Sequence, residues 1–562
     1  MERAQVLKVV VVGPSDVQRE CESVKSIADD LNETMRHGRI PAALQVLHWK
    51  TDSRPGAHIL GPQGRIDEDL DIDDCDVLIG VFWRRFGTPV HDAESGTEHE
   101  IRRAKRLWEE RRRPEVMLYF NQAPDNAATG DSAEQLEKLE RFKEELISGK
   151  TLLIGTYNGL DEFRETLFNN LLKLSVQLIR PSDDMTLTVK AVPVVIRAAG
   201  ITELVDDIVL ECSTGLAQRP IEPSEALTIL LFFTNPVTSR IIADTRAPVR
   251  PPETEAILYE VGTLRERVQV RGSLIGPNCL MFGPFKVTAP GPTRVRIYHI
   301  SNLRVNATTA PMSVNDTSVQ MLVQAVGARV EVSSHTIAFI RRGLLFEIRD
   351  ANSGGPLGTQ DHLLRADDGR QPLRIATVRF SELFSHAFKP RIDWLFAIGL
   401  GSERVLPAES PSLLAAYGKV GRKARYLGLA NFGAQVWAVF ANIPAGLRFF
   451  VSTRSTGLAA RLCRRGAEND SLDLPEIWEV PLTRCLLPGG HESRTGGVTW
   501  EINRTSGDSS PAFVEFGVFV SSDYDFVINL PTLPPVFVCG GFAPTPMSGT
   551  FDLASGGVAR TK

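Results

Sequence analysis

Asp76-Val77-Leu78-Ile79-Gly80-Val81-Phe82-Trp83, followed after a polar turn by Ser95-Gly96-Thr97-Glu98-His99-Glu100-Ile101, is the stretch on which the fold turns. The first segment is apolar without alternation, as expected of a strand buried on both faces at the centre of a parallel sheet. In the second, Ser95 followed three residues later by Glu98 matches a capping box and opens a charged helix to about Arg112. A helix start just beyond a strand end is where an open α/β sheet binds ligands, because free backbone N–H groups and the helix dipole converge there.

The same alternation extends in both directions. Val6–Val12 reads as a first strand, and Ser15 with Gln18 suggests a capped helix to about His37. Leu44–Trp49 reads as a second strand, Thr51–Gly56 as a loop and Asp67–Cys75 as a short helix. Beyond the Arg112 helix come a strand at Val116–Phe120, a charged helix at Ala133–Ser148, a strand at Thr151–Thr156 and an amphipathic helix at Leu160–Ile179. Residues 1–180 are therefore expected to form an α/β domain around a five-stranded parallel, flavodoxin-like sheet.

From Pro181 onward helical periodicity fades, and short alternating runs such as Leu227–Phe233, Val330–Ile340, Phe449–Thr453 and Val514–Val520 recur between Pro, Gly and Thr. That pattern predicts all-β sandwich domains at 181–310 and 311–455 and a β-rich C-terminal domain at 456–562.

Composition narrows the function classes. The chain has 562 residues, a formal net charge of -5 and 23% charged residues. It is long enough for several cores, and it carries no basic field of the kind nucleic acid requires. The apolar run at Val6–Val12 is too short to span a bilayer and lacks a signal-peptide pattern, so no membrane partner and a cytoplasmic location are expected. Seven scattered cysteines form no C-x-x-C pair, which predicts neither a metal cluster nor a disulfide framework. His91 and His99 flank the turn without a third ligand at suitable spacing.

Two carboxylates in the turn could carry chemistry. If Glu98 serves the capping box, Glu100, about 200° further around the helix, cannot share that task. It falls near the edge of the sheet-facing stripe, where the helix dipole can keep a partly desolvated carboxylate ionised for use as a nucleophile or cation stabiliser. The alternative for Glu100 is a solvated residue or an ion-pair partner of Arg103 or Arg84. Arg102–Arg113, interleaved with Glu109 and Glu110, reads as a solvated helix face.

The segment Ser95-Gly96-Thr97-x-x-Glu100-Ile101 resembles the catalytic turn of nucleoside deoxyribosyltransferases. Together with Gly13-Pro14-Ser15-Asp16-Val17-Gln18-x-Glu20, Asp52-Ser53-Arg54-Pro55-Gly56 and Asp76–Pro89, it resembles a TIR-like (Toll/interleukin receptor-like) domain of unknown function found in bacterial signalling proteins. The resemblance covers about a third of the chain. It implies cleavage of an N-glycosidic bond of NAD or a related nucleotide, with Glu100 catalytic and Glu98 its rival. Ser15, Asp16, Arg54, Trp83, Arg84 and Thr97 would line the nucleotide cleft, with NAD as substrate and no separate cofactor. Four residues before Glu100, where many NAD-cleaving relatives carry tryptophan, this chain has Gly96. Ile201–Leu210 and Phe384–Lys389 loosely resemble modules of large bacterial surface proteins.

The expectation is thus an NAD glycohydrolase-type effector in bacterial defence or signalling, homo-oligomeric and controlled by a β-rich region that senses a protein trigger or drives assembly. The competing reading is a non-catalytic interaction module within a scaffold or self-assembling structural protein.

Overall fold

The structure, a computed structural model, describes residues 4–48, 72–90, 93–124, 131–149, 152–179, 185–200, 202–214, 226–239, 241, 251–261, 268–287, 295–309, 317–357, 371–384, 387–388, 435–443, 446–462, 475–486, 492–502, 511–522 and 536–542. β1 (Gln5–Val12), β2 (Ala42–His48), β3 (Val77–Phe82), β4 (Glu115–Asn121) and β5 (Ile154–Tyr157) form a parallel sheet in the order β2-β1-β3-β4-β5. The helices are α1 (Gln18–His37), α2 (Gly96–Arg111), α3 (Asp131–Ser148) and α4 (Leu160–Leu178). The direction of winding reverses between β1 and β3, which makes the gap beyond their carboxyl ends the switch point of the sheet.

All of β3 is buried. Its side chains alternate between two cores: Leu78 and Phe82 meet Ile101, Ala104 and Phe142, whereas Val77, Ile79 and Val81 join the core beneath α1 and α4. A strand covered on both faces has no reason to alternate in polarity, which accounts for the unbroken apolar run. Gly80 lets α2 approach: a Cβ there would lie 2.7 Å from Leu118 Cδ2 and 3.0 Å from Ile101 Cδ1. Gly80→Ala is expected to destabilise the α/β unit by about 1–3 kcal/mol, the usual range for overpacking, read as a lower denaturant midpoint. An unchanged midpoint would show that Ile101 can repack.

One local expectation is corrected, and a second, the short helix at Asp67–Cys75, lies in part outside the described residues. Ser15 and Gln18 form no capping box: Pro14 takes the N-cap position of a 3-10 turn at Ser15–Val17, and no side chain caps either that turn or α1. Gln18 instead donates to Glu22 Oε1 along the helix. In the 67–75 stretch, the described part is a 3-10 turn at Ile72–Asp74.

The β region contains two bodies of sheet. The first comprises β6 (Met185–Lys190), β7 (Val194–Arg197), β9 (Ile208–Thr214), β10 (Ala226–Phe233), β11 (Glu253–Glu260), β12 (Gln269–Gly276), β13 (Cys279–Lys286), β14 (Arg296–Ser301), β16 (Thr317–Val326), β17 (Arg329–Val330) and β18 (Ser334–Arg341). They pair in the order β17-β6-β9-β14-β11-β12-β13-β10-β16-β18-β7. Beside them β8 (Glu203–Leu204) pairs with β15 (Arg304–Val305). β6 lies near one end of the path and β7 at the other, yet only three residues, 191–193, connect them. The sheet therefore curls until its ends approach, enclosing Leu187, Leu210, Leu231, Leu258, Phe282 and Val323. Pairing of β16 with β10 carries this sheet across residue 310, where the sequence reading places a domain boundary.

The second body is a sandwich. One sheet runs β19 (Leu344–Asp350), β20 (Leu373–Glu382), β28 (Phe513–Ser522), β22 (Leu447–Ser452) and β25 (Ile477–Glu479), with β23 (Thr456–Gly457) on β28. The other runs β24 (Ala460–Leu462), β27 (Glu492–Ile502), β21 (Gln435–Ile443) and β29 (Phe537–Phe542), with β26 (Thr483–Leu486) on β27. Trp500 and Phe516 stack between the sheets at 4.1 Å. This sandwich likewise spans the boundary expected at 455.

The first β body packs directly on the α/β unit. Along β10, Leu227, Ile229, Leu231 and Phe233 enter the β core, while Leu230 and Phe232 enter the core of α1 and α4. β13 repeats the division, with Leu280 and Phe282 inward and Cys279 and Met281 toward the helices. Thr228 Oγ1 donates to Gly38 O at 2.7 Å, just past α1, and Gln324 Nε2 donates to Lys173 O on α4 at 3.2 Å. The Lys173 ammonium lies 5.1 Å from the Phe232 ring centroid. Burial at this joint lowers the Lys173 pKa from its ordinary value. Among the described residues no helix is long and apolar enough to cross a membrane.

Candidate functional site at the sheet's switch point

The loops leaving β1 and β3 meet at the switch point. A Cβ on Gly13 would lie 2.9 Å from Val81 O, so the chain leaving β1 passes hard against β3. It then turns so that Asp16 Oδ2 accepts the N–H groups of Arg84 and Arg85, each at 2.9 Å. Asp16 Oδ1 is enclosed without a hydrogen-bond partner. Ser15 is exposed, and its Oγ accepts from Arg85 Nη1 at 3.3 Å. Trp83, half-buried, donates from Nε1 to Ala123 O at 3.1 Å, and the Arg84 guanidinium sits 5.7 Å from its ring centroid. The aromatic and guanidinium groups expected in the cleft are thus adjacent, and the indole is fixed across the ends of β3 and β4.

Gln135 of α3 continues the pattern set by Asp16. Its Oε1 accepts the N–H groups of Phe86 at 2.9 Å and Gly87 at 3.0 Å. Gly87 has φ +119°, a region L side chains rarely adopt, and a Cβ there would lie 2.9 Å from Ser95 Cβ. The loop so held touches the start of α2, where Gly96 N–H donates to Thr88 O at 3.3 Å.

At α2 the two glutamates separate. Ser95 caps the helix, its Oγ accepting from Glu98 N–H at 3.0 Å. Glu98 completes only half of the expected box: its Oε2 accepts from Glu94 N–H at 2.9 Å, one residue before the cap. Its Oε1 accepts from Arg102 Nε at 2.8 Å, and Arg102 makes a two-pronged contact with Glu145 at 2.7 Å on each arm. Glu98 is therefore tied to α3. The hydrogen bonds that Arg102 donates to Glu145, and then to Glu98, raise its pKa.

Glu100 lies in the sheet-facing stripe of α2 with Thr97, Ile101, Ala104 and Leu107, and is 5% exposed. Its azimuth is about 60° from that of Arg103, whose guanidinium pairs with Asp73 at 2.8 Å. Glu100 is thus not a solvated surface group. Two further arginines of the run are engaged at the surface: Arg112 lies over Trp108 at 4.6 Å and Arg113 pairs with Asp76 at 2.9 Å. Contacts of that exposed kind contribute about 0–1 kcal/mol each.

Beneath the switch point, Tyr157 at the end of β5 reaches α1, its hydroxyl 3.4 Å from Glu20 Oε1. Burial and the Glu20 carboxylate push the phenol above its ordinary pKa. Asn121 Oδ1 fastens the ends of β4 and β5 by accepting from Ala123 N–H at 2.9 Å and Gly159 N–H at 3.3 Å. Gln135, Tyr157 and Asn121 were not marked by the sequence, since each lies on a separate element and acquires its role only when the strand ends converge. Arg54 and His91 fall outside the described residues. His99 is half-buried, and its backbone N–H donates to Ser95 O at 3.0 Å. Among the described residues no group of His, Cys, Asp and Glu could hold a metal ion.

A search of curated proteins found no match. Two solved structures of translation elongation factor SelB from Methanococcus maripaludis align with the chain, each covering 92% of it and 99% of their own length. The apo form is 10% identical and the complex with the GTP analogue GPPNHP 9%, both with a TM-score of 0.20, at which the likeness carries no argument. Residues 69–172, from just before β3 into α4, match the model of a domain of unknown function, DUF4062.

Proposed function

We propose that the α/β unit is a TIR-like enzyme that cleaves the N-glycosidic bond of NAD or a related nucleotide, with Glu100 as the catalytic carboxylate. The observation that supports this most is the division of labour in the first turn of α2. Both are buried, but Glu98 turns its carboxylate to Glu94 N–H and Arg102, on the side of α3, and Glu100 lies in the sheet-facing stripe of the same turn, at the ligand-binding edge. A carboxylate desolvated there and stabilised by the helix dipole suits an oxocarbenium-like transition state. As the bond between the sugar's anomeric carbon and the nicotinamide nitrogen breaks, its electron pair leaves with nicotinamide. Glu100 stabilises or traps the cation until water adds its oxygen to the anomeric carbon and releases a proton.

The β region is the controlling element in this reading. α1 is 20 residues, about 30 Å, long. One end adjoins the Asp16 turn and the other is fastened to β10 through Thr228 and Gly38. A protein trigger or self-association that shifts the β body would move both ends of one rigid element. Incubating the full chain with NAD, before and after induced assembly, tests the proposal. Nicotinamide release lost in Glu100→Gln supports it, and release that survives this substitution overturns it.

A specific observation favours the scaffold reading as well. Asp16 and the Trp83 indole bind the switch-point loops to one another, which suits a rigid binding module. An NAD assay with no turnover in any assembly state would favour that alternative.

A further inference from the structure

Residues 84–87 present four consecutive backbone N–H groups at the carboxyl end of β3, and two side chains from different elements collect all of them. Asp16 Oδ2 takes the N–H groups of Arg84 and Arg85, and Gln135 Oε1 those of Phe86 and Gly87, at 2.9–3.0 Å. Strand and helix ladders cannot reach these amides, which are part-buried at Arg84, Phe86 and Gly87 and exposed at Arg85, and a donor shut off from water without a partner costs about 1–3 kcal/mol. The loop therefore keeps its path because of these two acceptors. Two contacts transmit that path to α2. Gly87, in its left-handed conformation, abuts Ser95, and Thr88 O accepts from Gly96 N–H. Ser95 in turn caps the turn that carries Glu100.

We propose that Asp16 and Gln135 are a paired clasp: positioning residues that set the β3–α2 loop and, through it, the register and order of the first turn of α2. Asp16 then acts on Glu100 from a distance instead of contacting nucleotide, and Gln135 gives α3, otherwise a charged surface helix, a place in the site. The structural part stands on its own, and only its consequence for catalysis rests on the reading of Glu100.

Amide hydrogen exchange on the full-length protein tests the clasp. In Asp16→Ala the amides of Arg84 and Arg85 are expected to exchange at least about 10-fold faster, and in Gln135→Ala those of Phe86 and Gly87, the equivalent of losing about 1.4 kcal/mol of local protection. The double variant should accelerate all four and also the amides of Gly96, Glu98 and His99. Asp16→Asn and Gln135→Glu, which keep an acceptor oxygen, should restore most of the protection. Circular dichroism at 222 nm checks the fold, and the single variants with their conservative counterparts decide the matter if the double variant does not fold. Unchanged exchange at residues 84–87, or faster exchange there with none at Gly96, Glu98 and His99, overturns the proposal. If the wild-type chain releases nicotinamide, the alanine variants should lower kcat more than they raise KM. If it does not, the reading of Glu100 fails while exchange still decides the clasp.

Discussion

Replacing Glu100 with glutamine is expected to lower nicotinamide release from NAD by about 10²–10³-fold, the usual effect of removing one preorganised electrostatic contact with a transition state. Glutamine keeps the shape of the side chain and its hydrogen-bonding capacity but not the charge that an oxocarbenium ion requires. The same change at Glu98 should leave turnover within a few fold. Its cost is loss of charge in two part-buried contacts, to Glu94 N–H and to Arg102, whose other arm reaches Glu145 at the surface. Hydrogen bonds to a charged group contribute about 1.5–3 kcal/mol, and at Glu98 that loss falls on the stability of the helix start and not on the reacting sugar. Measuring both variants side by side, with helical circular dichroism as a control for folding, separates a chemical role from a structural one. Equal losses at the two positions would mean that the first turn of α2 matters for integrity alone.

Phe232→Ala, in the β region, is expected to destabilise the helical unit by about 3–5 kcal/mol, the range found for truncating buried aromatic side chains. Phe232 is 4% exposed and belongs to the core that α1 and α4 share with Leu230, Cys279 and Met281. All described α-helices belong to residues 18–178, so the circular dichroism transition at 222 nm reports the α/β unit. A shift of that transition caused by a residue in β10 would show that the two bodies stabilise one another. Phe516→Ala is the contrast. It lies in the core of the distant sandwich, stacked on Trp500, and should leave the helical transition in place. If Phe232→Ala lowers only the stability of β structure, the docking contributes little.

The parallel sheet was legible because its strands are short, its helices carry clear apolar stripes, and β3, buried on both faces, forms an unbroken apolar run. The Ser95 cap was legible too, since it follows from spacing along one helix. What spacing could not supply was the partner of each polar group. Ser15 and Gln18 fit the capping pattern, but Pro14 and a 3-10 turn displaced the box. Asp16 was expected at a nucleotide cleft, and the two loop amides its carboxylate receives come from residues 68 and 69 positions away, which no local pattern marks.

Docking of the two bodies left one trace in the sequence. Leu227–Phe233 is apolar almost throughout, as befits an antiparallel strand with a core on each side, whereas a strand facing water would alternate. That sheets continue across residues 310 and 455 was not legible for a related reason. Turn signals mark the ends of strands, but whether the next strand pairs with an earlier one is decided by register over long separations, as in the pairing of β10 with β16.

The central claim, that the carboxyl edge of the parallel sheet presents Glu100 to the anomeric carbon of a nicotinamide nucleotide, is tested most directly by a crystal structure of the full-length Glu100→Gln variant with NAD. The account predicts intact nucleotide between the loops at Ser15 and Trp83, with its anomeric carbon facing residue 100. Nucleotide bound elsewhere, or an empty cleft at saturating NAD, would contradict it.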